Sequence, residues 1–287
     1  MFTELKYFSA AGGTANEDAV VCGANYLVVI DAATGLEQFH FTEEATDARW
    51  FSKTLAELLD SELRKIEAST SSLVTILERA ASELKESLDK YGYSDYGNGY
   101  PSACVSILRD VGDTLEYLVL GDCPILLEEA KGIRLLYDDT VAKRDDKVVE
   151  WIKMQCRTRG ITFAQARKEA QPMLLKNRRE MNRPDSYWIF DPTGVGVKHA
   201  LTGTLDANTV KGVAMMSDGF YEAYEVFGMA TSLTEFYFMI KNQSLEELVS
   251  RLRMKQEIGM EVEQFCRLKE RDDASVIWAK HELALFR

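Results

Sequence analysis

The run from Asn16 to Gly35, NEDAVVCGANYLVVIDAATG, sets the narrowest limits on how this chain can fold. An acidic pair, Glu17-Asp18, opens the β-rich stretch Ala19–Cys22. A turn at Gly23-Ala24-Asn25 follows, and then an apolar run from Tyr26 to Ile30 that ends in Asp31. Two β-branched runs around a Gly/Asn turn predict a hairpin or adjacent strands. Leu27-Val28-Val29-Ile30 does not alternate with polar residues, the pattern of a strand covered on both faces. Asp31 therefore stands at the mouth of a core, just before a flexible Ala-Ala-Thr-Gly turn. A carboxylate in such a place is costly unless it is paired or holds a cation.

The remaining chain supplies both periods. Trp50, Leu55, Leu58, Leu59 and Leu63 fall near helical spacing, and Leu73, Leu77, Ala80, Leu84 and Leu88 do so more cleanly, with Ser72 as N-cap and Gly92 as stop. The two predict an antiparallel helix pair on one face of a sheet. Tyr93–Pro101 reads as loop. Four short apolar runs with regular turn signals, between Ala103 and Tyr137, predict an antiparallel meander. From Asp138 to Arg183 the pattern is helical and basic: twelve Lys/Arg stand against five Asp/Glu between Lys143 and Arg183. Strands are expected at Tyr187–Phe190, around Val195–Lys198, at Val213–Met216 and at Ala274–Ala279, and helices at Leu233–Ile240 and from Leu245 to about Ile258. No repeat or linker divides the chain, so a single α+β unit over 1–287 is expected, with a basic helical insertion at about 138–185.

The formal net charge of −12 argues against bulk nucleic-acid or anionic-membrane binding. Five scattered cysteines without a Cys-x-x-Cys pair predict reduced thiols. MFTELKYFSAAGG lacks the apolar core of a secretory signal, and no apolar run approaches a membrane span, so a cytoplasmic protein is expected. The oligomeric state is not legible.

Asp31, Asp122 and Asp218 end apolar strands beside small residues; Asp272 lies just before one, and Glu17 precedes a strand in mirror fashion. Any one of them could be a turn residue. Together, carboxylates converging from strand ends suit hard divalent ions such as Mg²⁺ and Mn²⁺. The absence of an acid at position 33 removes a haloacid-dehalogenase reading, and the absence of G-x-x-x-x-G-K-[ST] removes a P-loop.

Asn16-Glu17-Asp18, Val29-Ile30-Asp31-Ala32, Leu120-Gly121-Asp122, Ser217–Glu222 and Arg271–Val276 resemble, in order, the motifs of the metal-dependent protein phosphatases, the phosphatase 2C-like family. The resemblance implies a β-sandwich of two antiparallel sheets flanked by helix pairs, with a dinuclear Mn²⁺ or Mg²⁺ centre at one edge. By motif position Asp31 would bridge the two ions and the Ala32 carbonyl would add a ligand. Glu17 would complete one ion, and Asp218 and Asp272 the other. Asp18 would orient ligands from behind, Asp273 would be a reserve ligand, and Asp122 and Glu222 would hold a third, weaker ion. The implied reaction is hydrolysis of phosphoserine or phosphothreonine on a protein, by a metal-activated water with no protein nucleophile. Two departures stand out. The family's phosphate-binding Arg falls on Gly13, and its Gly and His after the bridging Asp are here Ala32 and Ala33. The basic insertion offers Arg178, Arg179 and Arg183 as replacements for the Arg. The competing reading is a catalytically weak or inactive regulatory member that binds phosphoproteins without turnover.

Overall fold

The computed structural model describes residues 1–35, 40–65, 70–92, 99–257 and 265–283. Strands β1 (Phe2–Ala10), β2 (Asp18–Cys22) and β3 (Tyr26–Ala33) lead into helices α1 (Asp47–Leu63) and α2 (Leu73–Lys90). β4 (Ser102–Asp110), β5 (Thr114–Leu120), β6 (Ile125–Glu129) and β7 (Gly132–Leu136) precede α3 (Ala142–Arg159), α4 (Phe163–Glu169) and α5 (Gln171–Arg179). After them come β8 (Leu201–Asp206), β9 (Val210–Met216), α6 (Asp218–Glu225), α7 (Leu233–Asn242), α8 (Leu245–Gln256) and β10 (Ala274–His281).

The strands form two antiparallel five-stranded sheets, ordered β1-β10-β9-β6-β7 and β2-β3-β4-β5-β8. β3 shows why its run is apolar throughout. Val28 and Ile30 point at α1 and α2, which present Phe51, Leu55, Leu59, Ile76, Leu77 and Leu84 at three- and four-residue steps. Leu27 and Val29 point the other way, to Ile125, Leu127, Val213, Met215 and Ile277 of the facing sheet. α6, α7 and α8 cover the outer face of that second sheet through Phe220, Phe236, Ile240 and Leu248, giving four layers, α-β-β-α. The helices begin where polar caps satisfy free amides: Thr46 accepts from Arg49, Ser72 from Thr75 and Ser244 from Glu247. α3, α4 and α5 carry a small core of their own around Ile152, Phe163 and Ala166.

Several expectations are corrected. The 103–137 meander is not one sheet: β4 and β5 belong to the first, β6 and β7 to the second. The chain changes sheets at Gly121, whose φ of +81° and close approach to the Cys104 side chain leave no room for a Cβ. Tyr187–Phe190 makes only a bridge from Phe190 to Ala103, because Asn182 captures the Ile189 amide and Trp188 stacks on His199. Val195–His199 is a 3-10 turn, and the edge of β5 is taken instead by β8. Residues 93–98 of the expected loop and 258 of the expected helix lie outside the described residues.

Candidate metal centre

The acidic residues meet where the ends of the two sheets come together. Antiparallel pairing sets Asp18 of β2 directly opposite Asp31 of β3. On the other sheet β9 ends at Met216, Ser217 turns the chain, and Asp218 opens α6. The Ser217 hydroxyl does not cap α6. It donates to Asp18 Oδ2 at 2.8 Å and accepts from the Ser275 amide at 3.0 Å, tying β2 to the start of β10.

The Asp272-Asp273 turn is fixed with equal care. Asp273 accepts from the amides of Gly12 and Glu17, both at 2.6 Å. Arg253 donates to the Asp272 carbonyl at 2.7 Å and to the carbonyls of Ala10 and Ala11. α6 passes so close that a Cβ at Gly219 would lie 2.1 Å from the Asp273 carbonyl oxygen. Glu17 meets this group through its backbone amide.

Charge density in the group is high. Burial, then Asp218, Asp18 and Asp272, push the Asp31 carboxyl well above its ordinary range. Burial raises Asp18 to about 8, with Ser275 and Ser217 opposing and Asp273 and Asp272 adding to the rise. Asp122 is raised to about 8 by burial and by Asp218, and Glu222 to about 7 by the same two causes. Asp272 reaches about 6, burial outweighing the Lys269 ammonium. A buried carboxylate normally answers such desolvation with hydrogen bonds. Here Asp18 Oδ1 and Asp218 Oδ1 are buried and accept none from the described residues. Two orphaned oxygens in an all-oxygen donor set fit a hard divalent cation.

The fit is of donor type rather than of finished geometry. Among the described residues, no three His, Cys, Asp or Glu side chains close into a ligand set. Asp272 is drawn to Lys269, whose Nζ lies 2.7 Å from both carboxylate oxygens. Ala32 is buried on β3, and Asp122 and Glu222 line a cavity of about 200 Å³ with Asp218 and Asp272.

Two residues near the acids had no signal in the sequence. Asp145 lies in the first turn of α3; burial and Asp218 raise it to about 6, against the pull of Lys269 and Arg178. Lys269 borders both the acidic cavity and a second one of about 540 Å³, lined by Arg144, Arg167, Arg178, Tyr187 and Leu174. Both reach the group by tertiary folding of segments whose local pattern is an ordinary charged surface.

Of the three candidate arginines, Arg178 reaches the exit of β3. Its Nη2 donates to the carbonyls of Ala33 and Thr34 at 3.1 and 2.8 Å. Arg179 and Arg183 border a smaller cavity with Asp191 and Thr193, which Arg178 also lines. At Gly13 a side chain would meet no atom within 4 Å, so sterics do not explain the missing arginine.

No family model and no curated protein matches the chain. Solved structures do. The serine/threonine phosphatase Stp1 from Staphylococcus aureus aligns with a TM-score of 0.56 at 15% identity, covering 98% of this chain and 96% of its own. The Mycobacterium tuberculosis serine/threonine phosphatase PstP/Ppp gives 0.57 at 15% identity, over 98% and 100%. The catalytic domain of PstP in complex with two manganese ions gives 0.51 at 14% identity, over 97% and 98%. The α-β-β-α architecture of this chain is the phosphatase 2C-like fold, and what is shared at these identities is the fold.

Proposed function

We propose that this protein is a metal-dependent phosphomonoester hydrolase acting on phosphoserine or phosphothreonine in proteins. The observation that carries the reading is the pair of buried, unpartnered oxygens, Asp18 Oδ1 and Asp218 Oδ1, in a carboxylate group built from both sheets. The fold shared with bacterial serine/threonine phosphatases, one of them holding manganese, supports it.

Asp31, Asp218 and Asp272 are the proposed principal ligands, with Glu17 and the Ala32 carbonyl completing two ions and Asp122 with Glu222 offering a third place. Ions held there would neutralise phosphoryl oxygens and acidify a water for in-line attack. The chain's own work is positioning. Ser217 holds Asp18 in place, and Gly12, Glu17 and Arg253 hold the Asp272-Asp273 turn. Asp18 and Asp273 thus orient the ligands from behind. The helices α3 to α5 act as a flap over the β3 exit, and Arg178 is its phosphate-facing residue. Nη2 makes both carbonyl bonds, and among the described residues the other guanidinium nitrogens have no acceptor and can take an anion.

A binding module without turnover is the second reading, favoured by the carboxylates standing short of a closed set. Hydrolysis of an aryl phosphate and of a phosphothreonine peptide, with Mn²⁺, with Mg²⁺ and with EDTA, separates the two. Metal-dependent turnover that falls at least about a hundredfold in Asp218→Asn is expected, the scale of losing a group that acts at the transition state. A folded protein inactive under every metal leaves the binding module standing.

A further inference from the structure

Lys269 is placed as no surface lysine needs to be. Its Nζ bonds both oxygens of Asp272 at 2.7 Å, while Asp272 Oδ1 also accepts the Asp273 amide at 2.9 Å. The other cations nearby have different partners: Arg253 donates to the carbonyls of Asp272, Ala10 and Ala11 and to Gln256 Oε1, and Arg178 Nη2 to the carbonyls of Ala33 and Thr34. Among the described residues, Lys269 makes the one salt bridge to a proposed ligand.

We propose that Lys269 is a tethered counter-ion of the acidic group, and that a divalent cation has to displace its ammonium from Asp272 in order to bind. The inference rests on the metal-centre reading above. Its chemistry is exclusion: an ammonium on both oxygens leaves Asp272 few free lone pairs, and a dication cannot settle beside an ammonium without strong repulsion. Displacement costs little packing, because the lysine side chain is more than half exposed, at 55%. It also has somewhere to go, since Lys269 borders the larger cavity as well as the acidic one. Loading of the centre is thereby set against a charge the chain carries itself, and metal affinity is tuned down without any change of ligand.

The test compares wild type, Lys269→Met and Lys269→Arg as full-length, chelator-stripped proteins. Mn²⁺ affinity is measured by titration calorimetry, and thermal unfolding is followed in EDTA. Lys269→Met is expected to bind Mn²⁺ about fivefold more tightly, the upper end for a half-exposed ion pair. Its metal-free form should melt lower, and Lys269→Arg should stay close to wild type in both. Binding by Lys269→Met where wild type binds none would support displacement still more strongly. Equal or weaker binding by Lys269→Met, with an unchanged circular dichroism spectrum, overturns the counter-ion role and leaves the metal centre standing. If no form binds Mn²⁺, the metal centre itself is overturned, and the displacement with it.

Discussion

At the scale of single residues, what distinguishes this site is how little space its backbone leaves. Gly219 faces the Asp273 carbonyl at a distance no Cβ tolerates, and Gly12 meets the Asp272 carbonyl carbon from the other side, where a Cβ would stand at 2.4 Å. Gly219→Ala must push the Asp272-Asp273 turn away from α6. The expected cost is about 1–3 kcal/mol of stability, typical of forcing a methyl into a packed place. Urea denaturation measures the loss, and Mn²⁺ titration of the same variant should show weakened binding because Asp272 is carried off with the turn. A stability within error of wild type would mean that the turn yields freely. The acids themselves were legible in the sequence, because each stands beside a strand or turn whose pattern is strong. The role of Ser217 was not: only the folded sheets reveal that its hydroxyl serves Asp18 and the Ser275 amide.

At the scale of elements, periodicity carried far where an element buries a face and failed where tertiary partners decide. The helix pair α1–α2 and the strands β3, β4, β5 and β9 follow from their apolar spacing. β1 has an irregular pattern of half-buried residues, and β8 alternates weakly; each is recruited by a neighbour's free edge rather than by its own composition. α6 was hidden because Ser217-Asp218-Gly219 reads as a turn after β9. The arrangement of α3 to α5 was legible only as helical and basic, so three arginines were equivalent in the sequence. The structure separates them. Arg178→Ala is expected to raise KM for a phosphopeptide about tenfold, the scale of a charge-assisted hydrogen bond. Arg179→Ala and Arg183→Ala should change it less than about twofold. Steady-state kinetics on the three variants decides the point, and equal effects from all three would remove Arg178 from the phosphate.

At the scale of the whole molecule, the acidic group makes stability depend on pH with a definite sign. Asp18 and Asp122 titrate near 8 and Glu222 near 7 in the fold, while the unfolded carboxyls titrate at about 4. Between those values the folded chain holds protons that the unfolded chain has released. Their contribution is present in full below the unfolded pKa and is lost as the pH rises through the folded one. The metal-free protein is therefore expected to melt several degrees lower at pH 8 than at pH 5.5, with Mn²⁺ restoring most of the difference at pH 8. Differential scanning calorimetry in EDTA and in Mn²⁺ tests this, and a flat or rising profile in EDTA would contradict it.

β10 lies between β1 and β9, so residues 274–281 complete a sheet whose other strands come from residues 2–136 and 210–216. Without β10, β1 is cut off from β9 and that sheet has a gap inside it. Until the gap closes, Ser217 lacks the Ser275 amide and the amides of Gly12 and Glu17 lack Asp273. Pairing over such sequence distances is slow to form. A chain cut before residue 272 can thus fold its first sheet and helix pair and still lack the assembled acidic group, because the contacts that close it come from Asp273 and Ser275.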